Sequence, residues 1–246
     1  MAPDFMLSML PLLISTGTAI YTLRNADRVK KLEVESAQRI RLEQRDYDRD
    51  SVLKRYRHPL MNATNELQSR IYNICQQSFL QIFAHAGTER EREYGVLSTL
   101  FVIAQFFAWD EIIRREIQFI DEPESSNEVS LNQRLIAVRS RWATDSMVKT
   151  FRIFSIDQRA IGEGMIERDG SNLSCIGYLE FTRRYLRDPE SFPQLRAFAS
   201  ELKHEESEYT RLVAVHGRLI DLLDSLDPTM RHFPAERRER ITLNRE

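Results

Sequence analysis

Residues 5–23 read Phe5-Met-Leu-Ser-Met-Leu-Pro-Leu-Leu-Ile-Ser-Thr-Gly-Thr-Ala-Ile-Tyr-Thr-Leu23, nineteen positions without a charged side chain. As a helix rising about 1.5 Å per residue they reach roughly 28 Å, close to the ~30 Å hydrocarbon core of a bilayer. A secretion signal would carry basic residues ahead of this run and a small-residue cleavage site behind it. The preceding Met-Ala-Pro-Asp has neither Lys nor Arg, and Tyr-Thr-Leu-Arg-Asn-Ala-Asp-Arg after it offers no clear cleavage site. The run is apolar almost all round, unlike a half-buried helix of a soluble domain. It is expected to be a membrane anchor over 1–23, with Phe5, Leu10, Leu13, Ile14, Ile20 and Leu23 facing lipid.

The flanking charges give this anchor a direction. Between Arg24 and Arg41 there are six basic residues (Arg24, Arg28, Lys30, Lys31, Arg39, Arg41) against three acids, whereas the amino-terminal side holds Asp4 alone. The positive-inside rule then predicts a single-pass protein with its N-terminus outside and the C-terminal domain in the cytoplasm.

Residues 24–58 are expected to form a charged helical stalk. Residues 24–57 contain eleven Lys/Arg and seven Asp/Glu with no Gly or Pro. The sparse apolar residues do not sustain a heptad, so a spacer helix rich in opposite-charge neighbours is the simplest expectation. The sharper alternatives are an oligomeric stalk or a basic strip on anionic headgroups. Candidate contacts to anionic lipid or phosphate are Arg24, Arg28, Lys30, Lys31, Lys54, Arg55 and Arg57. Pro59 is expected to kink or break the chain where the globular part begins.

A helical domain is predicted over 59–235. Leu60, Ala63, Leu67, Ile71, Ile74, Cys75, Phe79, Ile82 and Phe83 fall on one stripe of a helical period. Gly87 and Thr88 read as a C′ residue and the next N-cap. The helix from about 89 to 121 contains sixteen uncharged residues, 94–109, and is expected to be the central buried helix. Residues 121–132 read as a loop, and a helix follows over about 130–149. Residues 150–181 fit an irregular segment or a short hairpin turning at Arg-Asp-Gly-Ser-Asn. Helices are then expected near 176–187, 190–203 and 206–226. The last has a seam of Leu212, His216, Leu219, Leu223 and Leu226, and Pro228 ends it. Residues 236–246 form a charged tail. The fold class is therefore all-α: a transmembrane helix, a polar helical stalk and a bundle of five to seven helices, with a short hairpin near 151–178.

Chemistry-bearing patterns are few. A net charge of −2 does not suggest a protein dominated by nucleic-acid electrostatics. Cys75 and Cys175 have no Cys or His at ligand spacing, so neither a metal site nor a disulfide scaffold is expected, and no cofactor is predicted. The Gly162-Glu-Gly164 triplet lacks the Lys and the spacing of a phosphate loop. Arg159 and Glu163, and Asp110 and Glu111 with Arg114 and Arg115, read as local ion pairs on one helix face.

One pattern, Arg211-Leu-Val-Ala-Val-His216, resembles the Arg-to-His motif of HEPN ribonucleases, which dimerise to pair two such motifs. The resemblance implies a guanidinium stabilising phosphate charge and an imidazole moving protons. Leu212 departs from it, since that family commonly has a polar residue there. His216 also lies on the apolar seam, where a core histidine is the ordinary expectation. Over about residues 55–227, the runs RYRHPLMNATNELQSRIYNI, VIAQFFAWDEIIRREIQFID and FSIDQRAIGEGMI resemble a group of bacterial and fungal helical proteins of unassigned function. The layout of an N-terminal span followed by a helical domain is similar to HEPN-like membrane accessory proteins.

These readings lead to a membrane-tethered, cytoplasmic interaction or oligomerisation protein without an evident catalytic site. Its expected partners are the membrane and either a second copy or another protein. Two alternatives are kept. One is a dimeric HEPN-like ribonuclease acting through Arg211 and His216, for which alone nucleic acid would be a partner. The other is a membrane-disrupting or pore-forming effector using the uncharged residues 94–109.

Overall fold

The computed structural model describes residues 3–117, 131–170, 172–204 and 208–242; the side chains of residues 3–27, 45–46, 48–50, 52–53 and 169 are outside the description. The chain is mostly helical. It divides into two compact units, Met1–Ser51 and Val52–Glu246.

Helix α1 (Pro3–Gln76) carries residues of both units. Its backbone is helical through Pro11 and Pro59, so the break expected at Pro59 does not occur. A proline removes one helical hydrogen bond, and the surrounding bonds carry the helix through. The anchor side chains Phe5, Leu10, Leu13, Ile14, Ile20 and Leu23 lie outside the described side chains, as does Arg24. In the first unit, all seventeen residues from 28 to 44 are helical and exposed.

In the second unit, the end of α1 buries Tyr56, Leu60, Ala63, Leu67, Ile71 and Ile74. Beyond it Phe79 is buried and Cys75 and Phe83 pack against the core, but Ile82 of the expected stripe is exposed. Ser78 takes a left-handed φ of 52°, and the chain re-enters as a π-helical turn, Leu80–His85. Both steps shift the helical phase, so the 3.6-residue period no longer predicts the inward face. The left-handed residue of this connection is Ser78 rather than Gly87.

Thr88 and Glu91 form a capping box at the start of α2 (Glu89–Ile117). The Thr88 N–H and hydroxyl donate to Glu91 Oε2 at 2.8 and 2.7 Å, and the Glu91 N–H reaches back to Thr88 Oγ1. By length and mean hydropathy α2 meets the requirements of a membrane span, yet 83% of its apolar window is buried inside the protein. Leu100, Ala104, Phe106, Phe107 and Ile112 are inaccessible or nearly so. This burial supports the central core helix rather than a second membrane segment.

The helices that follow are α3 (Leu131–Ala143), α4 (Ser155–Gly164), α5 (Tyr178–Arg187), α6 (Pro193–Leu202) and α7 (Thr210–Leu226). Helices α4, α5 and α6 pack on α2, while α3 packs on α7. The expected acidic loop lies almost wholly in 118–130, outside the described residues. A two-stranded antiparallel hairpin, β1 (Ile166–Asp169) and β2 (Asn172–Cys175), lies within the range expected for one, with Asp169 opposite Asn172 and Gly170 at a φ of 59°. The residues Thr150–Phe154 before it are an irregular entry to α4, not a strand. An aromatic core joins these helices: Phe107 meets Trp142, Trp142 meets Phe198, and Phe181 meets Phe192.

The predicted tail is charged, yet part of it belongs to the packed unit. Arg238 and Ile241 are buried, and Gln68 of α1 donates to the Arg237 carbonyl.

Candidate functional site

Arg211 sits at the first turn of α7 and is fully buried. A guanidinium has five N–H donors, and all five are used here. Nε donates to the Thr150 carbonyl, Nη1 to those of Arg141 and Trp142, and Nη2 to those of Thr144 and Val148, at 2.6–3.1 Å. The Arg141 and Trp142 carbonyls lie in the last turn of α3, where the helix dipole favours a cation, and that of Trp142 also accepts from the Ile153 N–H at 3.1 Å. Arg211 therefore holds α7 to the end of α3 and organises the loop up to Phe151. The Phe151 N–H in turn donates to the Glu201 carboxylate, and Phe151 has a left-handed φ of 60°. Burial and the nearby Arg152 guanidinium push the Arg211 pKa below its ordinary value. No donor is left over for a phosphate.

His216 lies five residues on, roughly 140° around the same helix. It is fully buried, its ring is 6.2 Å from that of Tyr72, and neither ring nitrogen has a hydrogen-bond partner among the described residues. Burial, aided by the Arg240 cation, pushes its pKa down to about 4, so the imidazole is neutral at pH 7. A proton shuttle needs access to its substrate. The placement of both side chains favours structural roles over the ribonuclease reading.

The charged residues of α2 keep the local pairing at Glu111, with Arg114 and Arg115, and depart from it at Asp110 and at Arg159–Glu163 of α4. Glu111, 2% exposed, accepts from Arg114 Nε at 2.6 Å and Arg115 Nε at 2.7 Å. Asp110 instead pairs with Arg139 of α3 at 3.1 Å, and burial raises its pKa to about 6 against the opposing pull of that guanidinium. Glu163 pairs with Arg115 at 3.1 Å, while Arg159 lies 3.9 Å from Glu111. The expected Arg159–Glu163 pair is thus exchanged for contacts between helices. Gly162 explains the close approach: a Cβ there would lie 2.4 Å from the Phe107 carbonyl oxygen. The Gly-Glu-Gly triplet serves helix packing in this fold.

The candidate anion contacts separate into two groups. Arg28, Lys30, Lys31 and Lys54 are exposed. Arg55 donates to the Asn172 side chain at 3.0 Å, and Arg57 donates twice to the Leu226 carbonyl, at 2.8 and 2.6 Å. Arg57 thereby caps the C-terminus of α7 and is committed within the chain. Beside it, the Asp227 carboxylate accepts from the backbone of Arg231, His232 and Phe233, and from buried Arg238 at 2.6 Å. Burial works to raise the Asp227 pKa, but these donors outweigh it and hold the group below the usual carboxylate range. Sequence reading missed this Asp227–Arg238 pair and the Arg57 cap. The signal available was weak: Pro228 marks a turn directly after Asp227, where Asp commonly binds nearby backbone N–H groups.

Cys75 and Cys175 are free, and burial pushes both thiols up to about 12. Among the described residues no group of three His, Cys, Asp or Glu side chains is arranged to hold a metal. In comparison with known proteins, no family model, no curated protein and no solved structure matches this chain.

Proposed function

We propose that the chain is a membrane-tethered interaction protein, held by residues 5–23 and presenting a helical domain on the cytoplasmic side. The observation that carries this reading is the run 28–44. Seventeen consecutive helical residues are exposed, including Val29, Leu32, Val34, Ile40 and Leu42. A helix exposed on all sides gains nothing from tertiary burial and suits a spacer or a surface awaiting a partner. The nineteen uncharged residues ahead of it and the basic excess behind them supply the anchor and its direction. Exposed Arg28, Lys30 and Lys31 sit where anionic headgroups would attract them, each contributing about 1 kcal/mol near such a surface.

The test is extraction of the full chain from membranes of the expressing cells. The protein is expected in the pellet after alkaline carbonate and in solution after detergent, with its C-terminal end digested only from the cytoplasmic side. Recovery in the aqueous fraction with an intact N-terminus overturns the anchor. Light scattering on the detergent-solubilised protein, beside a pull-down, tests the interaction role. A lone monomer without a partner counts against it.

A further inference from the structure

We propose that the exposed part of α1 is a pairing surface for a second copy of this chain, arranged parallel, along one side of residues 28–47. The inference rests on the membrane-tethered reading, which supplies the orientation.

Successive helical residues turn by about 100°, so Val29, Leu32, Ser36, Ile40 and Tyr47 all fall within an arc about 80° wide. The four apolar members are 53%, 64%, 65% and 71% exposed in chain order, and Ser36 is exposed between them. Two pairs recur at eleven residues, Val29 to Ile40 and Ser36 to Tyr47, while Leu32 is followed at that spacing by Glu43. Eleven residues make three turns of about 3.67 each, which keeps a seam on one side of a nearly straight helix. This is why a search for heptads passes over it. Ser36 donates its hydroxyl to the Glu33 carbonyl at 2.9 Å, so its side chain is satisfied within its own helix and presents a small surface to a neighbour.

Charge at the edges suits a parallel copy. Arg28 lies on one flank of the arc and Glu33 on the other, five residues apart, which is the spacing at which flanking residues of parallel helices meet across a seam. Glu43, the acid on the arc, follows Arg39 by four residues, and both are exposed. Net charge along the helix alone would favour an antiparallel pair, with the basic residues 28–31 against the acids 46–50. The uncharged run 5–23 decides between the two. Two copies anchored in one bilayer with the same topology have their helices parallel, and confinement raises their effective concentration.

The test uses the full chain with Cys75→Ala and Cys175→Ala, reconstituted in phosphatidylcholine vesicles, with single cysteines added at the seam or away from it. Flotation reports anchoring, and oxidative cross-linking reports pairing. Val29→Cys, Ser36→Cys and Ile40→Cys are expected to give disulfide-linked dimers with themselves. Val34→Cys, about 140° from Val29, is expected to give about tenfold less. Adding Leu32→Glu to Ser36→Cys should cut its dimer by a similar factor while flotation is unchanged. Equal cross-linking at positions 34 and 36, cross-linking only between Val29→Cys and Tyr47→Cys, or a monomer at every position overturns the proposal. Loss of flotation instead overturns the anchor, and cross-linking of the same variants in detergent then still scores the seam.

Discussion

Residues 28–44 and α7 are both helical and both seventeen residues long, yet every side chain of the first is exposed and nine of the second are buried. Charge does not separate them, because the buried set includes Arg211 and His216. What differs is the supply of partners. Arg211 meets five carbonyls from the end of α3 and the loop after it, whereas the arginines and lysines of 28–44 are exposed. A buried cation is stable only when its donors are matched, and the match is made by a distant segment. The apolar residues follow the same rule. Leu219 and Leu223 are inaccessible because other helices surround them, while Leu32 and Ile40 have only their own helix.

The contrast predicts that substitutions will be costly in α7 and its supports and nearly silent in the exposed helix. Arg211→Met should show the largest effect, about 3–5 kcal/mol in denaturant unfolding, because the guanidinium is withdrawn from five carbonyls at once, of which that of Trp142 keeps the Ile153 N–H. Arg211→Lys should recover only part of that, having three donors for five acceptors. A loss below about 1 kcal/mol for Arg211→Met would break the comparison at its strongest point.

Gly162→Ala should cost about 3 kcal/mol, since the added methyl meets the Phe107 carbonyl and α4 must move off α2. The same substitution at Gly170, where nothing lies within 4 Å of an added Cβ, tests backbone strain alone through its φ of 59°.

His216 makes the comparison pH-dependent. Its folded pKa of about 4 lies below the ordinary 6.5, so the unfolded chain takes up its proton first as pH falls. Its contribution is fully present above pH 6.5 and is lost progressively toward pH 4. Asp110 works in the opposite sense over part of that window: its folded pKa of about 6 is raised, so its contribution is present at low pH and lost as pH rises through 6. Both proteins in a His216→Leu comparison keep Asp110, so its effect cancels. The stability of the variant relative to the parent should therefore rise by about 3 kcal/mol between pH 7 and pH 4, read from urea midpoints. A flat difference would mean that the imidazole is solvated or partnered.

Arg57→Ala removes the double contact to the Leu226 carbonyl and should cost about 1–2 kcal/mol. Val34→Asp, in the exposed helix and off the proposed seam, should change the unfolding of the packed unit by less than about 0.5 kcal/mol. A larger effect would show that residues 28–44 have a contact that their exposure conceals.

Several features were legible without coordinates because they depend on neighbours in the chain. Thr88 reads as an N-cap from its place after Gly87, and it caps α2 together with Glu91, a partner that reading did not name. The seam Leu212, His216, Leu219, Leu223 and Leu226 is buried throughout, because α7 is regular from end to end. The stripe through Leu60 and Ile74 is fully legible only as far as the helix keeps its phase; past Ser78, Phe79 and Phe83 still reach the core while Ile82 does not. The local pairs of Glu111 with Arg114 and Arg115 form as spaced, whereas Asp110 and Arg159–Glu163 were misassigned for a related reason. Spacing finds Arg159 and Glu163 on one turn, but the Gly162 contact brings Glu111 and Arg115 of another helix within reach.

The amino-acid sequence by itself determined the helical class, the apolar faces of α2 and α7 and the uncharged run at the start. Hydrophobic period, capping and the scarcity of Gly and Pro act over a few residues and need no distant partner. Tertiary structure alone decided that Arg211 and Arg57 serve as helix caps, that Asp227 and Arg238 are buried together, and that the core His216 has no hydrogen-bond partner among the described residues. Each depends on which carbonyls, cations and apolar walls are brought within about 3–4 Å by packing, and spacing along the chain does not encode that distance.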